Sequence, residues 1–131
     1  MPFALEVTVE PSDIDNLGHA SNIVYLRWVQ DVALAHSTAL GLSERDYVAL
    51  GKGWVVRKHE IEYHQPALFG DELELTTSVV TMRGARGVRK TAINRIDGTR
   101  LTDITTEWVW VRASDGRPTR VPSAMVEAFE S

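Results

Sequence analysis

Residues 12–40 read SDIDNLGHASNIVYLRWVQDVALAHSTAL, and the character of the chain changes midway through this stretch. Ser12 to Ser21 is crowded with turn formers, including two aspartates, Asn16, Gly18 and His19, which predicts an irregular loop ready to present side chains. From Asn22 to about Leu40 there is neither Pro nor Gly. Tyr25, Val29, Val32, Ala33, His36 and Leu40 recur there at three- and four-residue spacing, so one long helix is expected, with Gly41 as its C′ residue. Ser21 or Asn22 is placed to supply the N-cap oxygen.

Outward from this core stretch, the period is two. Phe3, Leu5, Val7 and Val9 alternate with polar residues and predict a half-buried strand, stopped by Pro11 and Ser12. Ser43 to Leu50 predicts a short second helix ending at Gly51. Beyond it, strands are expected over 54–63, 73–82, 88–96 and 101–113. Asp97-Gly98 marks a hairpin turn between the last two. On the last strand Ile104, Thr106, Trp108 and Trp110 share one side. A short terminal helix is expected over 121–129, with Pro122 in its first turn. Strand, long helix and four successive strands make an α+β layout, in which one helix covers one face of an antiparallel sheet. The 131 residues are expected to form a single domain.

Composition narrows the chemistry. With no cysteine, a disulfide framework, a cysteine-rich zinc site, an iron–sulfur cluster and a cysteine nucleophile are all excluded. Fourteen Lys and Arg against 18 Asp and Glu argue against a general nucleic-acid binder and mean that a polyanionic ligand needs a local basic pocket. No apolar run approaches the roughly 20 residues that span a bilayer, and residues 1–10 lack a leader pattern. A cytoplasmic protein without membrane partners is expected.

Read as a motif, Asp13-Ile14-Asp15-Asn16-Leu17-Gly18-His19-Ala20-Ser21-Asn22-Ile23-Val24-Tyr25-Leu26-Arg27-Trp28 resembles the D-x-D-x-x-G-H-x-x-N-x-x-Y-x-x-W signature of hotdog-fold acyl-CoA thioesterases of the 4-hydroxybenzoyl-CoA thioesterase-like branch. Tyr63-His64-Gln65-Pro66-Ala67-Leu68-Phe69-Gly70-Asp71 is similar to that family's Y-x-x-P-A-x-x-G-D segment. The resemblance implies a hotdog fold: a curved five-stranded antiparallel sheet, in spatial order 1-3-4-5-2, wrapped around one long helix. It also implies homo-oligomers, either dimers joined edge to edge through the second strand or tetramers built from such dimers. The implied activity is hydrolysis of an acyl-CoA to a carboxylic acid and CoA, with no cofactor and no metal.

Thioester hydrolysis needs a polarised carbonyl and an activated attacking group. The leaving thiol, with a pKa of about 8.5, departs without a strong general acid. A helix N-terminus supplies unpaired N–H groups and partial positive charge where the oxyanion forms. The resemblance places that N–H at Asn22, and it assigns Asp15 as the group that attacks the thioester or activates water. On loop statistics alone, Asp13 and Asp15 are Asx-turn residues; the motif reverses that reading for Asp15 and leaves Asp13 holding the loop in shape against the substrate. His19 either orients Asp15, bonds the substrate carbonyl or shuttles a proton, or simply packs the loop. Gly18 supplies a permissive backbone position at the substrate. Tyr25 and Trp28 are core residues by spacing, and Tyr25, within a turn of the oxyanion site, is also counted as substrate-facing.

Arg83, Arg86 and Arg89, with Lys90, cluster around the loop before the fourth strand and are the basic candidates for the CoA phosphates. His59, on the second strand with Ile61 and Tyr63, has no partner at ligand spacing for a metal; the implied dimer edge offers it a role in a partner's site. Asp31 is the only acidic residue on the long helix and lies too far from its start to serve the oxyanion site. Two alternatives share the implied fold: a hydratase or dehydratase acting on acyl thioesters, and a non-enzymatic acyl-thioester binding module.

Overall fold

The computed structural model describes residues 2–130. Its elements run β1 (Phe3–Thr8), a 3-10 turn (Pro11–Asp13), α1 (Asn22–Ala39), α2 (Glu44–Leu50), β2 (Lys52–Tyr63), β3 (Glu72–Arg83), β4 (Arg86–Arg95), β5 (Arg100–Arg112) and α3 (Ser123–Glu130). All neighbouring strands are antiparallel, in the order β1-β3-β4-β5-β2.

The expected picture of a curved sheet wrapped around one long helix is overturned. The sheet is open, with β1 and β2 as its two edges, and three separate helices accompany it among the described residues. The reason lies in a second cluster of apolar residues that α1 does not reach alone. Val24, Tyr25, Trp28, Val29 and Val32 of α1 pack with Leu73, Leu75, Ile93, Leu101 and Ile104 of the sheet. Trp110 instead gathers Val121, Met125 and Phe129, with Leu40, Tyr47, Trp54 and Met82 around them. α2 and α3 exist as helices because each brings apolar residues to this second cluster.

Local chemistry sets the helix ends. α1 closes in a Schellman motif: the Leu42 N–H donates to the Ser37 carbonyl at 2.9 Å and the Gly41 N–H to the Thr38 carbonyl at 3.0 Å, with Gly41 at φ 87°. α2 begins in a capping box, in which Ser43 Oγ accepts from the Asp46 N–H and the Asp46 carboxylate accepts from the Ser43 N–H. These bonds hold the Asp46 carboxyl below the usual carboxylate range. The start of α1 differs from expectation. Ser21 occupies the N-cap with extended backbone, but its side chain makes no capping bond, and neither does that of Asn22.

Irregularities in the ladders keep side chains in phase. In β2 the register shifts between Val56 and Lys58, so Trp54 and Val56 pair with Trp110 and Trp108 while His59, Ile61 and Tyr63 pair with Thr106, Ile104 and Thr102. Without the extra residue at Arg57, one half of the strand would turn its apolar side outward.

Beneath the sheet's centre, α1 contributes a buried histidine. His36 is 5% exposed, stacks on Phe3 and accepts a hydrogen bond at Nδ1 from Arg89 Nη1 at 2.9 Å. Burial first, and then the Arg89 charge, pull its pKa from 6.5 down to about 4. Between those values the unfolded chain binds the extra proton and the folded one does not, so stability rises with pH across that window. We expect acidification from pH 6.5 to 4 to remove up to about 3 kcal/mol through this residue. Urea unfolding across that range, compared with His36→Gln, checks it: equal pH slopes in the two proteins would contradict the assignment.

Candidate active site

The two motifs, well separated in sequence, meet at the start of α1. Ala20 N–H donates to the Ala67 carbonyl at 2.8 Å, and His19 pairs with Leu68 in an isolated antiparallel bridge. The Tyr25 hydroxyl accepts the Ala67 N–H at 2.9 Å, which ties the second segment to the first turn of the helix. Asp71 Oδ2 then accepts from the Leu68 N–H and from Arg95 Nε, and Arg95 Nη2 reaches the Pro66 carbonyl at 3.0 Å.

Within the loop the two aspartates do different work. Asp13 is 2% exposed; its Oδ1 accepts from Arg27 Nη2 at 2.9 Å and its Oδ2 from the Glu10 N–H at 2.9 Å. Both oxygens are engaged, and they anchor the loop to α1. Asp15 is exposed, and only its Oδ1 is engaged, accepting from the Leu17 N–H at 2.9 Å and the His19 N–H at 3.2 Å. Its Oδ2 has no hydrogen-bond partner among the described residues, so the carboxylate is oriented yet has a free oxygen. Gly18 closes the turn by donating to the Asp15 carbonyl at 3.1 Å, and its φ of 80° is a conformation that a side chain disfavours. The His19 side chain is exposed beside this turn. Asn22 opens the helix, and with no side-chain cap the N–H groups of Asn22 and Ile23 have no hydrogen-bond acceptor among the described residues.

Tyr25 is buried, edge-on to both Trp28 and Tyr63 at ring separations of 5.3 and 5.1 Å. Burial raises its hydroxyl above the ordinary tyrosine range, which suits a hydroxyl held as a hydrogen-bonding strut. Tyr25→Phe is expected to cost about 1–3 kcal/mol in chemical denaturation, because the Ala67 N–H is left buried without its acceptor; an unchanged midpoint would show that this bond holds nothing.

The remaining sequence candidates lie elsewhere. His59 sits midway along β2, Nδ1 at 2.9 Å from Thr106 Oγ1, with its pKa lowered by burial. Arg83 is exposed near the β3–β4 turn, and Arg86 pairs with Glu107 at 2.6 Å. Arg89 does not join them. It is 6% exposed and points inward to His36 and Thr77. Alternation along β4 carries the signal for this, since Gly87, Arg89, Thr91 and Ile93 share the buried side. Sequence reasoning missed Arg27 and Arg95, the cations that fix Asp13 and Asp71; an arginine on a helix or strand face carries no mark of its partner. It also missed an apolar rim at this site, where Leu17 is 80%, Ile23 78% and Phe69 63% exposed. Among the described residues no three His, Asp or Glu side chains converge as metal ligands would, and no helix is long and apolar enough to cross a membrane.

A family model described as "Thioesterase-like superfamily" matches residues 9–129. Proteins named "Acyl-CoA thioester hydrolase YbgC" from Escherichia coli O157:H7 and Shigella flexneri are each 29% identical over 131 residues, covering 98% of this chain and 96% of theirs. Among solved structures, the 1,4-dihydroxy-2-naphthoyl-CoA thioesterase Slr0204 from Synechocystis superposes with a TM-score of 0.91 at 17% identity, covering 100% of this chain and 97% of that one. A DHNA-CoA thioesterase from Staphylococcus aureus gives 0.91 at 20% identity, over 98% and 89% of the two chains. At these identities the structures speak to the fold.

Proposed function

The chain belongs to the thioesterase-like superfamily, and from that premise we propose that it hydrolyses acyl-CoA thioesters to a carboxylic acid and free CoA. The observation that carries the reading is Asp15, a carboxylate pinned through one oxygen with the other free, in the same loop that leads into the uncapped start of α1. The thioester carbonyl oxygen lies against the N–H groups of Asn22 and Ile23, where unpaired donors and the helix dipole stabilise developing negative charge. Asp15 Oδ2 then acts in one of two ways. As nucleophile it adds to the carbonyl carbon, the C–S bond breaks with CoA leaving as thiolate, and water hydrolyses the resulting mixed anhydride to restore the carboxylate. As general base it takes a proton from a water that adds to the same carbon, and the thiolate leaves directly. His19 orients the reacting groups or passes the proton to the departing sulfur. Asp13 acts through Arg27 and Glu10 as a positioning residue, and Gly18 and Tyr25 shape the substrate's approach.

The name shared by the bacterial relatives supports CoA as the carrier, and Arg83 and Arg86 are the surface cations for its phosphates. Residues 1–131 act as one domain in this reading, with β2 as the edge through which two copies join and His59 and Tyr63 nearest the partner's site. The protein works in the cytoplasm without a cofactor.

Purified protein offered short, long and aromatic acyl-CoAs while free thiol is monitored tests the activity. Thiol release above background with at least one substrate is expected. Hydration of enoyl-CoA without thiol release would replace this reading with the hydratase one, and tight binding without either reaction would leave a binding module. Sedimentation at several concentrations tests assembly: a monomer throughout contradicts the shared edge.

A further inference from the structure

Residues 64–71, the segment that follows β2, run alongside the Asp15 loop, and backbone bonds sew both ends of the segment to the body of the protein. At the near end the His64 and Gln65 N–H groups donate to the Leu101 carbonyl at 2.8 and 3.2 Å. At the far end the Val9 N–H donates to the Asp71 carbonyl at 2.9 Å and the Gly70 N–H to the Val9 carbonyl at 3.1 Å. The middle is held differently. Ala67 is fully buried and commits both of its peptide groups to the site itself, its carbonyl to the Ala20 N–H and its N–H to the Tyr25 hydroxyl. Arg95 fixes this middle to the sheet, and among the described residues no other side chain of the sheet hydrogen-bonds to residues 65–69.

Arg95 is the last residue of β4, and its backbone is pinned in the β4–β5 turn: its N–H donates to the Thr99 carbonyl and its carbonyl accepts the Gly98 N–H, both at 2.9 Å. From this fixed root the guanidinium spreads across the segment. Nε donates to Asp71 Oδ2 at 3.0 Å, Nη2 to the Pro66 carbonyl at 3.0 Å and Nη1 to Gln65 Oε1 at 3.4 Å. Two short routes lead from there to the reacting loop. The first runs through Asp71 Oδ2, which also accepts the Leu68 N–H, to the bridge between Leu68 and His19. His19 in turn accepts the Asp15 N–H at its carbonyl, at 2.7 Å, and donates its own N–H to Asp15 Oδ1. The second runs through Pro66 to Ala67, and so to Ala20 and to Tyr25 in the first turn of α1. One planar fork therefore stands behind both halves of the site, the carboxylate and the helix start. A guanidinium can do this because its five donors lie in fixed directions, whereas an ammonium offers a point charge. The Arg95 and Asp71 side chains are 22% and 21% exposed, so water competes weakly for these bonds.

We propose that Arg95 is a positioning residue for thioester hydrolysis: it touches none of the reacting atoms, and through residues 66–71 it sets the separation between Asp15 Oδ2 and the N–H groups at the start of α1. The inference rests on the acyl-CoA hydrolysis proposed above. Attack on a thioester carbonyl needs the attacking oxygen and the oxyanion donors in place at once, and a misplacement of about 1 Å costs on the order of 10²-fold in rate. CoA recognition, assigned to Arg83 and Arg86 at the other end of β4, does not pass through this segment. The loss therefore falls on kcat and not on KM.

Steady-state hydrolysis by Arg95→Lys, Arg95→Gln and a control, Arg112→Lys, tests it, using the acyl-CoA that the wild type hydrolyses fastest and expressing rates per folded molecule from circular dichroism at the assay temperature. Arg112 pairs with Asp115 through two bonds at the far end of β5, so its replacement removes an ion pair away from the site and is expected to leave kcat unchanged. Arg95→Lys is expected to lower kcat about tenfold or more, and Arg95→Gln further, with KM within about twofold of the wild type. Amide exchange followed by NMR is expected to quicken at Ala20 and Ala67 and to keep its wild-type rates at Leu75 and Ile93 in the sheet. Wild-type kcat per folded molecule in both Arg95 variants overturns the proposal and leaves the hydrolytic reading intact. So does a rise in KM at constant kcat, which would make Arg95 a substrate-binding cation, or faster exchange at all four amides, which would make it a support of the fold as a whole. If the wild type releases no thiol from any acyl-CoA, the activity itself is removed, and the proposal with it, before any variant is made.

Discussion

Asp15→Asn is expected to lower thioester hydrolysis by about 10²–10⁴-fold while leaving the unfolding midpoint nearly unchanged. The substitution isolates chemistry from structure. The oxygen of the introduced amide still accepts the Leu17 and His19 N–H bonds that Asp15 Oδ1 accepts in the wild type, so the turn keeps its shape. What disappears is the charged oxygen, because an amide neither adds to a carbonyl nor takes a proton from water at neutral pH. Truncation to Ala would confound the two effects by releasing both N–H groups. Thiol release under saturating acyl-CoA, with unfolding followed in parallel, is the measurement. Activity retained within about tenfold in a folded protein would remove Asp15 from the reacting centre.

The largest stability effect is expected at Trp110. Its ring is fully buried on β5, edge-on to Tyr47 at 5.7 Å and tilted against Trp54 at 5.1 Å, and it is the centre on which Val121, Met125 and Phe129 close. Trp110→Ala should cost about 3–5 kcal/mol, because the cavity it leaves cannot collapse onto neighbours held by several elements. Trp110→Phe should cost much less, about 1–2 kcal/mol, for a reason specific to this site: the Trp110 indole N–H has no acceptor among the described residues, so the smaller ring removes an unsatisfied donor along with some contact area. Equal losses from both substitutions in urea unfolding would show that the indole's polar edge, not its bulk, holds the cluster.

Much of this architecture can be read from periodicity. The change from period two to three-to-four at Asn22, the return at Trp54 and the glycine at position 41 locate α1 and the strand order along the chain, and the structure's β1, α1 and β2–β5 fall within a few residues of those readings. The loop from Asp13 to Asn22 is legible as irregular backbone from its turn formers, and it is the resemblance of its motif, not the turn chemistry, that singles it out as a candidate site. What periodicity does not carry is long-range. Local pattern places the two short helices, but their packing into a separate cluster around Trp110 is long-range, and no local window reveals that Val121, Met125 and Tyr47 share a neighbour. Arg89 groups with Arg83 and Arg86 by proximity in sequence, whereas alternation counted back from Ile93 places it inside. The residue added at Arg57 in β2 is invisible because both halves of the strand alternate correctly on either side of it.

Ser21 has the right chemistry and the right backbone to cap α1, and its side chain makes no capping bond. A filled cap at such a position adds about 1 kcal/mol to a helix. A cap from position 21 reaches the Ile23 N–H, one of the two donors that the proposed mechanism gives to the thioester oxygen, so stability and turnover compete for that donor. Ser21→Asp, which adds a negative charge at the helix N-terminus, should therefore raise the melting temperature and slow the enzyme together, which locates in a single side chain the point where this fold has kept its reactivity at the expense of its firmness.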